Sequence, residues 1–347
     1  METSPAPDAM KPSPLTYGSY LKVPELLSLQ HPLSKPAHHD ELLFIISHQV
    51  YELWFKQMMH ELVEVCVYLD QDKPLRAAQL FERIHRIQLL LIEQIPLLET
   101  MFSVDFAAFR GSLGNSSGFQ SVQFRQLEFF CGRKNPGMLK LVGSDAAAKA
   151  EMEKFLGRPT PYDHFIRHLS REDNGIFNIP SDALARDTSQ PHALDERLVS
   201  SLETLYRRQG ESLSGERYYA QFRVAEHLLE FDEKLAIWRF HHVKMVERMI
   251  GTMQGTGGSS GAGVGDGSGA GFEAAALGGT AALEICFPSG FARGSTAAVF
   301  CFSPPLPWAP MTSAPVSKAV ANAARCLQGI FAPQVQCPSI RFPLRSR

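Results

Sequence analysis

Residues 40–69 read DELLFIISHQVYELWFKQMMHELVEVCVYL. Leu43, Phe44, Ile46, Val50, Leu53, Trp54, Met58, Leu62 and Val65 recur at intervals of three and four. That spacing gathers side chains on one broad face of a helix, and the face is wide enough to require burial. Asp40 is an acceptable N-cap for such a helix. One polar ring, His48, interrupts the apolar stretch Phe44-Ile45-Ile46-Ser47.

The pattern continues outward from this segment. Pro74 suits the first turn of a second helix, with apolar positions at Leu80, Ile84, Ile87, Leu91, Ile92 and Leu97 and a break expected near Pro96. A Gly/Ser loop from Gly111 to Gly118 precedes another helical stretch through Val122 to Phe130. Residues 171–197 are polar and rich in Pro and Asp, and read as loop. Helical period resumes from about Leu198 to Gly210 and from about Arg217 to Ile250. Long helices with short polar joints predict an all-α fold in which helices bury one another's stripes.

Texture divides the chain into three. Residues 1–13 carry Pro5, Pro7 and Pro12 among polar residues and are expected to be disordered; 14–261 form the helical domain. Residues 262–347 are dominated by Gly, Ala, Ser and Pro, with nine charged residues and the breaker run Ser303-Pro304-Pro305-Leu306-Pro307. They are expected to be a disordered tail. Thirty-four basic and 36 acidic side chains leave a net charge of −2, which gives no reason to expect nucleic acid or an anionic membrane as partner. The N-terminal residues have no apolar h-region and do not read as a secretory signal. No stretch approaches the roughly 18 apolar residues of a membrane span. The six cysteines show neither metal-type spacing nor a C-x-x-C-H attachment site, so a cytoplasmic, reducing setting is expected.

Of twelve histidines, His85, His164, His168, His192 and His227 have charged or polar neighbours and are expected at the surface. His48 and His242 lie on apolar helix faces. Leu235, Trp238, His242, Met245 and Met249 share one face, whereas His241 lines up with Lys234, Lys244 and Arg248 and points to water. Each apolar-face histidine reads either as a core residue bonded to a backbone carbonyl or as a ligand; a neutral imidazole there suits an axial ligand to haem iron. Arg110 follows Phe106-Ala107-Ala108-Phe109 and fits a bidentate grip on a carboxylate, though a lone arginine is also an ordinary surface residue. The run Gly255-Thr256-Gly257-Gly258-Ser259-Ser260-Gly261 reads either as a flexible linker or as a turn that brings N–H groups to an anion. It lacks the ending of a P-loop.

The runs Leu15 to Leu21, His38 to Glu41, Phe44 to His48, Tyr51 to Lys56, Ser116 to Ser121 and Gly255 to Gly261 together resemble the tryptophan 2,3-dioxygenase family over about residues 14–261. The resemblance implies a helical domain of the tryptophan/indoleamine dioxygenase type holding one haem b per subunit. It also implies that L-tryptophan and O2 are converted to N-formyl-L-kynurenine, the first step of tryptophan degradation. By position, His242 matches the proximal iron ligand and His48 the distal histidine that hydrogen-bonds the indole N–H. Phe44 matches an aromatic packed on the indole, Arg110 the carboxylate clamp, and Thr256 the threonine at the amino-acid end. Ser117 falls near the haem pocket, and Phe106 stands where some members have tyrosine. Tyr17, Tyr20 and Leu21 match residues that reach a neighbouring subunit, implying a homotetramer. After Gly261 the chain departs from the family's further helices. Two rival readings follow: a catalytically impaired family member that keeps subunit contacts but not haem, and a haem oxygenase acting on another indole compound.

Overall fold

In a computed structural model, residues 15–114, 116–172, 175–209, 214–251 and 314–329 are described. Every regular element among them is helical. Two short N-terminal helices, α1 (Tyr17–Leu21) and α2 (Val23–Leu26), precede the first long one, α3 (His39–Asp70). It is followed by α4 (Pro74–Leu98), α5 (Ser103–Arg110), α6 (Val122–Phe130), α7 (Ala146–Leu156) and α8 (Pro161–Arg171). The short α9 (Ser181–Leu184), α10 (Glu196–Gln209), the 37-residue α11 (Ser214–Ile250) and α12 (Ala314–Gly329) follow among the described residues.

The centre of the molecule is α4, which packs along both α3 and α11. On α3 the predicted face is buried only in its second half, through Met58, Leu62 and Val65, with Tyr51, Phe55, Cys66 and Leu69 joining it, whereas Ile46 and Leu53 are exposed. Phe81, Ile84, Ile87, Leu91 and Ile95 answer it from α4. Tyr51 spans the seam, its hydroxyl donating to the Leu91 carbonyl at 2.9 Å. Pro74 opens α4, and Pro96 lies inside its last turn.

Several expectations shift in detail. The N-cap of α3 is His38, whose Nδ1 accepts from the Asp40 N–H at 3.3 Å, so Asp40 sits inside the first turn. Asp40 and Glu41 there face the positive end of the helix dipole. The polar stretch 171–197 contains α9 and the start of α10. Within 262–347, where no helical period was expected, Ala314–Gly329 is a helix packed against α10 and α11. Val320, Ala324 and Leu327 are buried there. Their intervals of four and three form a stripe, which the abundant small residues around it obscure in the sequence. Among the described residues no single helix is long and apolar enough to cross a membrane.

Candidate functional site

The site assembles where α3, α5, α6 and α11 meet. Trp238 of α11 anchors it. Its indole meets Tyr51 and Phe55 of α3 edge-on at 6.1 and 6.2 Å, and Phe124 of α6 at 5.2 Å. One turn further along α11, the His242 ring stacks on the same indole at 5.3 Å. The helical phase holds: Leu235, Trp238 and Met249 are buried while His241, Lys244 and Arg248 are exposed. Lys234 departs from it, being largely covered and ion-paired with Glu230.

His242 makes no hydrogen bond among the described residues, and burial drives its pKa down to about 4, with His48 and then Arg125 adding to the shift. The imidazole is therefore neutral at physiological pH. His48 is held neutral as well. Burial lowers its pKa, against the opposing pull of its bond to Phe44. Its Nδ1 lies 2.7 Å from the Phe44 carbonyl oxygen. A carbonyl only accepts, so Nδ1 carries the proton and Nε2 keeps a lone pair. His48 is thus bonded to a backbone carbonyl, as one of the two sequence readings has it, and its Nε2 has no hydrogen-bond partner among the described residues.

Aromatic rings form the wall beside it. Phe44 lies 4.1 Å from the His48 ring, 5.7 Å from Phe106 and 5.8 Å from Phe109. Phe109 is fully buried and fixes α5 against this wall, while Phe106 is half-buried. Arg110, one turn after Phe106 and on the same face of α5, is half-buried at the C-terminal end of that helix. Ser117 caps the following 3-10 turn, its Oγ accepting from the Phe119 N–H. Tyr17, Tyr20 and Leu21 on α1 lie elsewhere, 78%, 70% and 44% exposed. Thr256 lies outside the described residues.

A buried ionic cluster braces α6 against α11. Glu128 pairs with Arg125 on its own helix and with Arg239 of α11 at 2.7 Å, three residues before His242. Arg125 also lies over the Phe124 ring at 4.7 Å. Sequence spacing gave no sign of this cluster, since Arg239 lies 111 residues from Glu128.

The donor set fits haem. A neutral imidazole without a hydrogen-bond partner, flanked by aromatic rings, offers an unshared nitrogen pair in a surrounding of low polarity. A carboxylate or a charged imidazole at residue 242 would not.

Other histidines correct the sequence expectation. His85, His168, His192 and His227 are buried at 4%, 0%, 7% and 3% exposure. Each meets a polar partner supplied by another helix or loop: His85 and His227 meet each other at 3.1 Å, His168 meets Asp72 at 2.8 Å, and His192 meets Asp163 at 3.2 Å. Polar neighbours in sequence had suggested water. They are instead the partners, or lie beside the partners, that make burial tolerable.

Residues 2–153 and 206–265 match the sequence profile of the family described as Tryptophan 2,3-dioxygenase. The chain is 41% identical over 247 residues to a tryptophan 2,3-dioxygenase of Serratia proteamaculans, covering 71% of this chain and 85% of the relative. It is equally similar to those of Kineococcus radiotolerans and Xanthomonas campestris, covering 83% and 80% of their lengths.

Proposed function

The chain belongs to the tryptophan 2,3-dioxygenase family, and from that premise we propose that it oxidises L-tryptophan with O2 to N-formyl-L-kynurenine, using haem b, one per subunit. His242 is the residue to hold the iron. Haem, when bound, supplies the redox chemistry that O2 requires, and the protein supplies position and exclusion of water. The observation that carries the reading is the pair of neutral imidazoles, His48 and His242, set in aromatic surroundings on two helices. The uncharged, unbonded His242 favours a catalytic member over an impaired one.

The remaining roles follow from chemistry. An indole is flat and apolar with one N–H donor. The Phe44 and Phe106 rings offer surfaces for its face, and His48 Nε2 offers the acceptor for its N–H. With its Nδ1 proton fixed on the Phe44 carbonyl, His48 orients the indole in one tautomer. Phe106 packs only; it has no hydroxyl to donate. Arg110 grips the carboxylate bidentately from the face it shares with Phe106, with Thr256 at the amino-acid end and Ser117 near the pocket. Together they hold the indole C2–C3 bond in one place, which is catalysis largely by positioning. The Arg110/Thr256 pair favours a free amino acid over other indoles. Tyr17, Tyr20 and Leu21 present apolar area to solvent on a capped helix. That exposure supports their docking on a neighbouring subunit of a homotetramer. We assign residues 14–261 as the haem domain of a cytoplasmic enzyme, with residues 1–13 and the bulk of 262–347 lying outside it.

The test is turnover of reduced, haem-loaded protein with L-tryptophan under isotopically labelled O2. N-formyl-kynurenine carrying two labelled oxygens is expected. One labelled atom, or no product, overturns the proposal.

A further inference from the structure

A second histidine pair lies on the seam between α4 and α11. Gln88 fixes its chemistry. The Gln88 amide nitrogen donates to the Phe231 carbonyl at 2.8 Å, so its oxygen must be the atom 3.1 Å from His85 Nδ1. An oxygen there accepts, so Nδ1 of His85 bears the proton and Nε2 carries a lone pair. That lone pair faces His227 Nδ1 at 3.1 Å and Glu230 Oε2 at 3.4 Å. Lys234 takes the other Glu230 oxygen. The carboxylate and the His85 lone pair are both acceptors, bridged in this state by the His227 Nδ1 proton, and a cation could take that place.

The three atoms form a triangle with sides of 3.1, 3.4 and 3.7 Å. Tetrahedral zinc with nitrogen and oxygen ligands at about 2.0–2.2 Å needs ligand separations of about 3.3–3.5 Å. Shifts of a few tenths of an ångström bring all three into range. We propose that His85, His227 and Glu230 form a site for a divalent transition metal that pins α4 to α11. Two imidazoles and one carboxylate select zinc, cobalt, nickel or copper over magnesium or calcium.

The surroundings complete the site. Gln88 holds His85 in the ligating tautomer, the kind of outer support that metal-bound histidines use. On binding, the proton of His227 moves from Nδ1 to Nε2, so no charge is lost. Nε2 then faces Glu82 Oε1, now 3.6 Å away, as its acceptor. The Arg223 guanidinium, 3.0 Å from Nε2, yields toward Glu82, with which it already pairs at 2.7 Å. Glu82 and Glu230 are about half exposed at the side-chain level, which opens an entry path and leaves room for water as fourth ligand. Arg223 and Lys234 oppose the incoming charge and keep the affinity moderate. Among the described residues a second cluster of metal-type ligands, Asp72, His168 and Glu172, differs because the Arg171 guanidinium already occupies both Asp72 oxygens.

The experiment titrates zinc chloride into chelator-washed holoprotein against a chromophoric chelator, and follows thermal melting. The expected result is one zinc per chain and, at about a hundredfold excess over Kd, a rise in Tm of about 5 °C or more. Magnesium produces neither. His227→Gln abolishes binding, Glu230→Gln weakens it at least tenfold, and His60→Gln, on an exposed residue, leaves it unchanged. Glu230 is partly exposed, so its variant keeps the test decisive if His227→Gln fails to fold. Absence of stoichiometric zinc overturns the proposal and leaves the His227 proton as the only bridge. Equal zinc binding in the Glu230→Gln protein overturns it too.

Discussion

Of the three histidines on helix α11, His227 and His242 are each set against a histidine of another helix, and the two couples are built in opposite ways. His242 with His48 is surrounded by rings: Trp238, Phe44 and, behind them, Phe106 and Phe109. Neither nitrogen of His242 is hydrogen-bonded among the described residues. His227 with His85 is surrounded by Gln88, Glu230, Arg223 and Glu82, and every ring nitrogen has a neighbour within 3.1 Å. Burial lowers all four pKa values. Depressed basicity is therefore common to both couples. Their difference lies in which nitrogens already have partners, and this decides what each can bind.

The sharpest way to break that contrast is to delete one histidine of each couple. His242→Ala should abolish the haem Soret band, whereas His227→Ala and His241→Ala should retain it. Equal loss from His241→Ala would show that the helical phase of α11 does not select the ligand.

A buried histidine set against an acid depends on that acid. Asp163 accepts from Thr160 N at 2.7 Å and Arg186 Nε at 2.8 Å, and His192 Nε2 lies 3.2 Å from it. Burial pushes its carboxyl up, but His192 and Arg186 outweigh that and hold it far below the usual range. Asp163→Asn should cost about 3–5 kcal/mol, because the largely covered Arg186 guanidinium loses its counter-charge. Since the folded pKa is depressed, the stabilisation is present above the unfolded value of about 3.9 and is lost as pH falls below it. Denaturant melts from neutral pH to about pH 3 should show that acid loss in the parent and a shallower one in the variant. Identical slopes would remove Asp163 as its cause.

On the aromatic side, Arg110→Leu removes a charge-assisted contact worth roughly 1.5–3 kcal/mol. KM for L-tryptophan should rise by about one to two orders of magnitude, and the preference over tryptamine should vanish. Persisting discrimination would assign the carboxylate to another group. On the polar side, His85→Leu leaves Gln88 Oε1 and His227 Nδ1 unsatisfied at a cost of about 1–3 kcal/mol. Melting should fall by several degrees while haem content stays unchanged. Haem loss with it would mean that the two couples are not independent.

The same contrast explains what could be read from the sequence. The long apolar periods of α3, α4 and α11 were legible, because a buried face repeats locally every three or four residues. So was the inward phase of His242 against the outward His241, which depends only on position within one helix. His85 and His227 were not legible as buried: their partners combine near neighbours with residues about 140 positions away, and local polarity pointed to water. The Glu128 cluster escaped for the same reason. Helix α12 escaped because its stripe is three residues wide in a Gly/Ala/Pro-rich stretch, yet Leu327 and Ala324 are fully buried. Tail residues 314–329 thus contribute native contacts, while the family match ends at residue 265.

The central proposal is that the residues around His48 and His242 hold haem and L-tryptophan together. The absorption spectrum of the reduced, haem-loaded protein, recorded with and without L-tryptophan, tests it most directly. A Soret band that shifts on addition of L-tryptophan, saturably and less readily with tryptamine, is the predicted result. A haem band indifferent to L-tryptophan, or its absence from folded protein supplied with haem, would contradict the account.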